Sequence, residues 1–412
     1  MLKKIRVDQL SLGMHIKEFC GSWMEHPFWR SGFVLKEPAD LDRIRTSSIK
    51  EVWIDSSKGL DVPQGVEVVS EAHSDAQVEQ ELQQVAQTQR STSPVKLAVE
   101  YKRAAQICVQ SKKAVESMFR EARMGNAVDA SSAQKLVEEI SDSVSRNASA
   151  LISLARLKTA DDYTYMHSVA VCAMMIALAR QLGLDEVQTR SAGLAGLLHD
   201  LGKASMPMDV LNKPGKLTDA EFAIIKSHPV EGHRMLVHVG NVDPVALDVC
   251  LHHHEKTDGS GYPKGLKDEQ ISLFAKMGAV CDVYDAITSN RPYKAGWDPA
   301  ESLRKMAEWC KGHFDQKVFQ AFVKSLGIYP IGSLVRLSSG HLAVVVEQSP
   351  KSLTTPLVKI FYSTKSNLRI PAETLDLSVP NCSDKITGRE DPAQWKFPNL
   401  DELWSGFSDR PW

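Results

Sequence analysis

No stretch of this 412-residue sequence approaches the roughly 18 consecutive apolar residues that mark a membrane-spanning helix. The N-terminus, MLKKIRVDQLSLGM, has lysines but no apolar segment behind them, so no signal peptide is expected. No CxxC pair occurs. The seven cysteines (20, 108, 172, 250, 281, 310 and 382) are scattered and odd in number. That argues against a disulfide framework and a thiolate zinc site, and makes a reducing cytoplasm the natural home. Cys172, Cys250 and Cys281 lie in apolar helical runs, where buried, inert thiols are expected. Excess charge is missing too. A formal net charge of -2 gives no grip on long nucleic acid, although a small anion needs only a local cluster of positive groups. There are no internal repeats.

What is present is apolar mass, 43% of residues, enough for the cores of two or three domains. Residues 1–70 mix short β-like runs with turns. Val52-Trp53-Ile54 reads as a strand and Asp40 as the cap of a short helix, so a small α/β domain is expected. Residues 71–94, rich in Gln, Ser and Glu, read as a flexible linker, and 95–144 as connecting helices. From 145 to 328 nearly everything reads as helix. Gly183 marks a C-terminal stop, Thr218 to Glu221 a capping box, Asp298-Pro299 a helix start and Asp315 another cap. Beyond Pro330, Leu334–Leu337 and Ala343–Val346 flank a Ser-Ser-Gly turn and read as a hairpin, with a loosely structured tail. The fold class expected is mainly α, with a small α/β domain before the helical domain and a short β extension over 329–412.

The histidines carry the chemical signal. His167 shares a helical face with Val171, Met174 and Leu178; His199 and Asp200 end the apolar run GLAGLLHDLGK. His228 lines up with Ile225, Gly232 and Met235, His253 and His254 close ALDVCLHHHE, and Asp282 sits in an otherwise apolar helix. Singly, an inward histidine is more often a hydrogen-bonded core residue than a ligand. Five such histidines and two such aspartates in one helical domain are another matter. Buried together without a cation they leave several groups unsatisfied. Imidazole and carboxylate without thiolate suit iron, manganese, zinc or nickel. Seven donors exceed what one open site uses, so a dinuclear centre with a bridging carboxylate is the economical reading. Such a centre activates water against a phosphoryl group. Lys203, three residues after Asp200, is placed to stabilise phosphoryl charge, with a solvated helix-end lysine as the equal alternative.

The run His199-Asp200-Leu201-Gly202-Lys203, then Asn212-Lys213-Pro214-Gly215, His228-Pro229, the block from His253 to Pro263 with DGSGYP, Asp282 to Ala286, and Arg291-Pro292-Tyr293 together resemble the HD-GYP domain. The resemblance covers about residues 145–328. It implies an HD-type helical bundle that hydrolyses cyclic di-GMP to pGpG, and further to GMP in some members, by a metal-bridging hydroxide at a dinuclear iron or manganese site. Carried over by residue, the ligands are His167, His199, Asp200, His228, His253, His254 and Asp282, with Asp200 bridging. Lys203 contacts the scissile phosphate, Arg291 and Lys294 hold the rest of the dinucleotide, and Gly261-Tyr262-Pro263 shapes a loop beside the site. Some members place a glutamate four residues before the first histidine to help hold a third metal. Tyr163 stands there, with Asp161 and Asp162 just upstream, so two metals are expected. Hydrolysis of another cyclic dinucleotide, or slow turnover by a cyclic di-GMP receptor, are the competing readings.

The segment Leu10 to Met14, with the aromatic patch Trp23, Phe28 and Trp29, resembles a domain of unknown function found ahead of HD-GYP domains. The patch reads first as a small core and second as a surface for a protein partner; a homodimer is also compatible with the sequence. Other polar residues read more plainly. His252 points away from its ligand neighbours, His233 and His238 are surface or structural, and His313 is a capping residue. Asp258 serves a turn or, equally, orients a ligand; Asp285 orients one. Glu255-Lys256 reads as solvated.

Overall fold

The computed structural model describes residues 1–20, 32–47, 49–63, 68–86, 97–126, 129–158, 163–213, 215, 217–290, 296–349, 352–397 and 399–407. They form two compact units. Residues 1–81 with 307–313 make the first, and residues 82–306 with 314–412 the second.

The first unit contains β1 (Leu2–Arg6), β2 (His15–Phe19), β3 (Phe33–Val34), α1 (Pro38–Arg45), β4 (Glu51–Asp55) and β5 (Val69–Ser70). The strands make one antiparallel sheet in the order β3-β2-β4-β1-β5. Ile5, Ile16, Val52 and Ile54 join Leu10, Met14, Leu35 and Ile44 in its core. The strand read at Val52-Trp53-Ile54 is β4. The short helix starts at Pro38 after Glu37, not at Asp40, because proline's fixed φ suits the first helical position. Trp23, Phe28 and Trp29 lie outside the described residues.

The residues read as a flexible linker contain α2 (Glu71–Ala86). Its Gln, Glu and Ala residues are good helix formers, and Ser74, Val78 and Leu82 give a buried stripe at fourfold spacing. Residues 87–94 lie outside the described set.

The second unit continues with α3 (Leu97–Arg123), α4 (Ala130–Ala155), α5 (Tyr163–Gln181), α6 (Glu186–Leu198), α7 (Met208–Leu211), α8 (Asp219–Ile225), α9 (His228–Val239), α10 (Pro244–His252), α11 (Leu273–Thr288), α12 (Pro299–His313), whose residues 307–313 belong to the first unit, and α13 (Gln316–Leu326). The caps expected at Thr218 and Asp315 are made, and Asp298 Oδ1 accepts from the amides of Ala300 and Glu301. From Met166 to Ala179 every residue of α5 is buried, which marks it as the central helix. Two glycines let α6 lie close against it. A Cβ on Gly193 would stand 2.8 Å from Ile176, and one on Gly196 3.0 Å from the Cys172 backbone. That close packing brings the end of α6, with His199, beside His167.

The hairpin read beyond Pro330 is β6 (Leu334–Leu337) and β7 (His341–Glu347), part of a larger sheet. With β8 (Leu357–Ser363), β9 (Leu368–Asp376) and β10 (Ile386–Arg389) it forms an antiparallel sheet ordered β10-β6-β7-β8-β9. The tail is structured, through β10, α14 (Pro392–Trp395) and α15 (Leu400–Ser405). Among the described residues, no helix is long and apolar enough to cross a membrane.

Candidate metal centre

Five helices of the second unit deliver the seven side chains to one point. His167 comes from α5. His199 and Asp200 follow the last turn of α6 and lead into a 3-10 turn (Leu201–Ser205) carrying Lys203. His228 opens α9, His253 and His254 follow α10, and Asp282 lies in mid-α11. All but His254 are buried almost completely.

Asp200 is central. Its Oδ2 lies 3.4 Å from both His167 Nε2 and His199 Nε2, while Oδ1 lies 3.2 Å from His228 Nε2 and 3.9 Å from His253 Nε2. The carboxylate therefore faces two imidazole groups, one with each oxygen. Asp282 spans the same gap, with Oδ1 3.0 Å from His167 Nε2 and Oδ2 3.7 Å from His254 Nδ1. Three sets of donor atoms converge tightly enough to share an ion: His167, His199 and Asp282; His228, His253 and His254; and His199, Asp200 and His253.

The orientation of the rings has local causes. His199 Nδ1 faces the Gly196 carbonyl at 2.8 Å, His228 Nδ1 that of Ile225 at 2.7 Å, and His253 Nδ1 that of Val249 at 3.0 Å. A ring that donates its Nδ1 proton to a carbonyl turns a bare Nε2 inward. The two bare nitrogens of His228 and His253 face each other at 3.3 Å. Lone pairs at that distance repel unless a cation lies between them. Asp200 Oδ1, buried beside them, has no hydrogen-bond partner. This donor set fits divalent metal, and buried His/Asp clusters of this kind are those of an HD metal site.

Electrostatics agree with that fit. Burial and the neighbouring His199 and His228 push His253 down to about 3, so it stays neutral, the form that ligates. Burial opposes ionisation of Asp200 and Asp282, but Lys203 with the imidazoles outweighs it for Asp200, and His167 with His199 for Asp282. Both carboxyls sit well below the usual range. Burial also pulls His167 down, yet Asp200, Asp282 and Asp285 raise it to about 10. A metal-free chain at pH 8 thus holds a proton on His167 that a cation must displace. Metal affinity is expected to rise with pH up to about 10, by as much as about tenfold per unit, with one proton released per chain at pH 8. Calorimetric titration in buffers of different protonation enthalpy counts that proton; release near zero would contradict the assignment.

Lys203 pairs with Asp200 and is partly exposed, which suits a group meant to reach a ligand. The 253–263 loop folds back over the site. The Tyr262 amide donates to the His254 carbonyl at 3.2 Å, and the Tyr262 ring stacks on His254 at 4.7 Å. Gly261 is required there, because a Cβ would meet Lys256 N at 2.4 Å. Pro263 follows through a cis peptide bond. Arg291 and Lys294, like Asp161 and Asp162, lie outside the described residues.

Glu255 corrects its sequence reading. It is buried, not solvated, and accepts the amides of Lys264 at 2.7 Å and Leu266 at 2.9 Å, tying down the loop. Lys256 is buried beside it. Asp258 accepts the amide and hydroxyl of Ser260, a turn role. His252 Nδ1 faces Asp248 at 2.8 Å, away from the centre, as its helical position implies. Asp285 stands 2.6 Å from His167 Nδ1, and the buried Lys158 pairs with it. Nothing in the sequence around Lys158 signals that.

Five histidines and two aspartates brought together by five helices, with an HD pair at the centre, define an HD-domain protein, and the HD domain family model matches residues 138–318. A model described as a domain of unknown function matches residues 2–133. The chain belongs to the HD-GYP family of cyclic di-GMP phosphodiesterases. It is 56% identical over 409 residues to the cyclic di-GMP phosphodiesterase PA4108 of Pseudomonas aeruginosa, covering 99% of this chain and 97% of that protein. It is 37% identical over 193 residues to the cyclic di-GMP phosphodiesterase response regulator RpfG of Xanthomonas campestris, 46% of this chain and 51% of that one. A 3'3'-cGAMP-specific phosphodiesterase 1 of Vibrio cholerae is 35% identical over 164 residues, 40% of this chain and 38% of that one.

Proposed function

We propose that this chain hydrolyses cyclic di-GMP to linear pGpG at a two-cation centre. The observation that carries it is the carboxylate of Asp200 facing one imidazole group with each oxygen. His167, His199 and Asp282 would hold one cation, His228, His253 and His254 the other, and Asp200 would bridge. Iron or manganese suits the imidazole and carboxylate set. Bound there, the cations would supply a Lewis acid for a phosphoryl oxygen and lower the pKa of the attacking water.

The chain's own groups do the rest. Water adds to phosphorus in line with the ribose O3', the P–O3' bond breaks, and O3' leaves with a proton as the hydroxyl. Lys203, released from Asp200, neutralises charge growing on the phosphoryl oxygens. The Tyr262 loop, held by Glu255, walls the site beside His254. Arg291 and Lys294 are assigned to the distal half of the dinucleotide. The relative 56% identical over nearly the whole chain is a cyclic di-GMP phosphodiesterase, while the cGAMP-specific one is 35% identical over 40% of it, which supports two guanines. Steady-state kinetics on both dinucleotides test the choice. A kcat/KM for cyclic di-GMP at least about tenfold higher, about 1.4 kcal/mol, is expected; the reverse order would transfer the assignment to 3'3'-cGAMP.

A further inference from the structure

Lysine is among the residues least often buried completely, and Lys158 has no exposed surface. Its ammonium pairs with Asp285 Oδ2 and lies 5.3 Å from the centre of the Tyr163 ring. That ring stacks on His167 at 5.7 Å with 8° between planes. The same Asp285 oxygen stands 2.6 Å from His167 Nδ1. One carboxylate oxygen thus joins a buried lysine to a histidine whose other nitrogen faces Asp282 at 3.0 Å.

The ligand histidines differ in what holds them. His199, His228 and His253 are oriented by backbone carbonyls, which their helices fix. His167 is oriented by a side-chain carboxylate, which can rotate. Asp285 has somewhere else to go, because it also lines a cavity of about 20 Å³ with Arg156, Ser149, Ser153, Tyr284 and Thr288. That cavity has room for about one water and a guanidinium to attract a carboxylate.

From this geometry we infer that Lys158 is a positioning residue of the metal centre. It holds Asp285 against His167 and so builds the His167, His199 and Asp282 cation position, leaving the His228, His253 and His254 position independent of it. Outer partners of ligand histidines typically carry about 10- to 100-fold in metal affinity. The inference rests on the two-cation reading above.

Mn²⁺ binding by the full chain, followed by EPR titration with chelator competition, tests it in Lys158→Met, Asp285→Asn and the double variant. One of the two cations is expected to bind about 10- to 100-fold more weakly in each, and the other as in the parent. The double variant should be no weaker than either single one, because the three residues act as one chain. Lys158→Met leaves a buried carboxylate unpaired; if it does not fold, the double variant, with both charges removed, carries the test alone. Two cations at parental affinity in a folded variant would overturn the inference. So would equal weakening of both together with a lower metal-free melting temperature, the mark of a merely structural residue. Failure of the unaltered chain to take a second cation would instead overturn the two-cation reading.

Discussion

Replacing Asp200 with alanine is expected to lower kcat on cyclic di-GMP by more than about a thousandfold and to strip both cations, with the fold retained. The size follows from its position. It addresses both halves of the centre, at 3.4 Å from His167 and His199 through one oxygen and 3.2 Å from His228 through the other. Among the described residues, no other side chain stands between all of these imidazoles. The buried Oδ1 has no hydrogen bond to lose, while Oδ2 gives up its pairing with the partly exposed Lys203. The metal-free chain should stay folded, while metal content falls towards zero. Retention of two cations with unchanged kcat would remove Asp200 from its bridging role.

A second large effect is expected at Gly202, this time on folding. A Cβ there would lie 1.9 Å from the His228 carbonyl oxygen and 2.5 Å from Gly232 N. Both are backbone atoms, so no rotamer change relieves the clash. The 3-10 turn carrying Lys203 would have to separate from α9, which carries His228. Gly202→Ala should cost about 3 kcal/mol or more, seen as a fall of roughly 6–12 °C in Tm. Gly388→Ala is the control, because nothing lies within 4 Å of the added carbon, and it should leave Tm unchanged. Equal melting temperatures would show that the turn can move away without penalty.

Much of the site is legible in the amino-acid sequence, because its residues lie on apolar helical faces where polar groups stand out. His167 and Asp282 interrupt such faces, and the HD pair ends another. Lys158 shows no such signal. It follows a helix end in ARLK, where a lysine is ordinarily solvated, and its partner Asp285 comes from a helix far along the chain. Glu255 escapes a sequence reading for a similar reason. Its partners at 264 and 266 reach it only once the loop folds back, and no periodicity records a loop. The C-terminal sheet is half visible. β6 is mostly apolar and β7 carries three consecutive valines, but β9 is exposed along most of its length and lacks the alternation of a half-buried strand. In α2 a polar composition hides a narrow buried stripe. Local pattern reveals buried faces; it does not reveal who meets whom across them.

A two-cation centre that cleaves cyclic di-GMP is tested by turnover of the 412-residue chain purified without oxygen, with bound metals counted in the same sample and Asp200→Ala alongside. About two cations per chain, formation of pGpG, and loss of both in the variant are the expected results. Tight binding of cyclic di-GMP without cleavage, in a chain carrying both cations, would rule out the phosphodiesterase reading and make the protein a receptor.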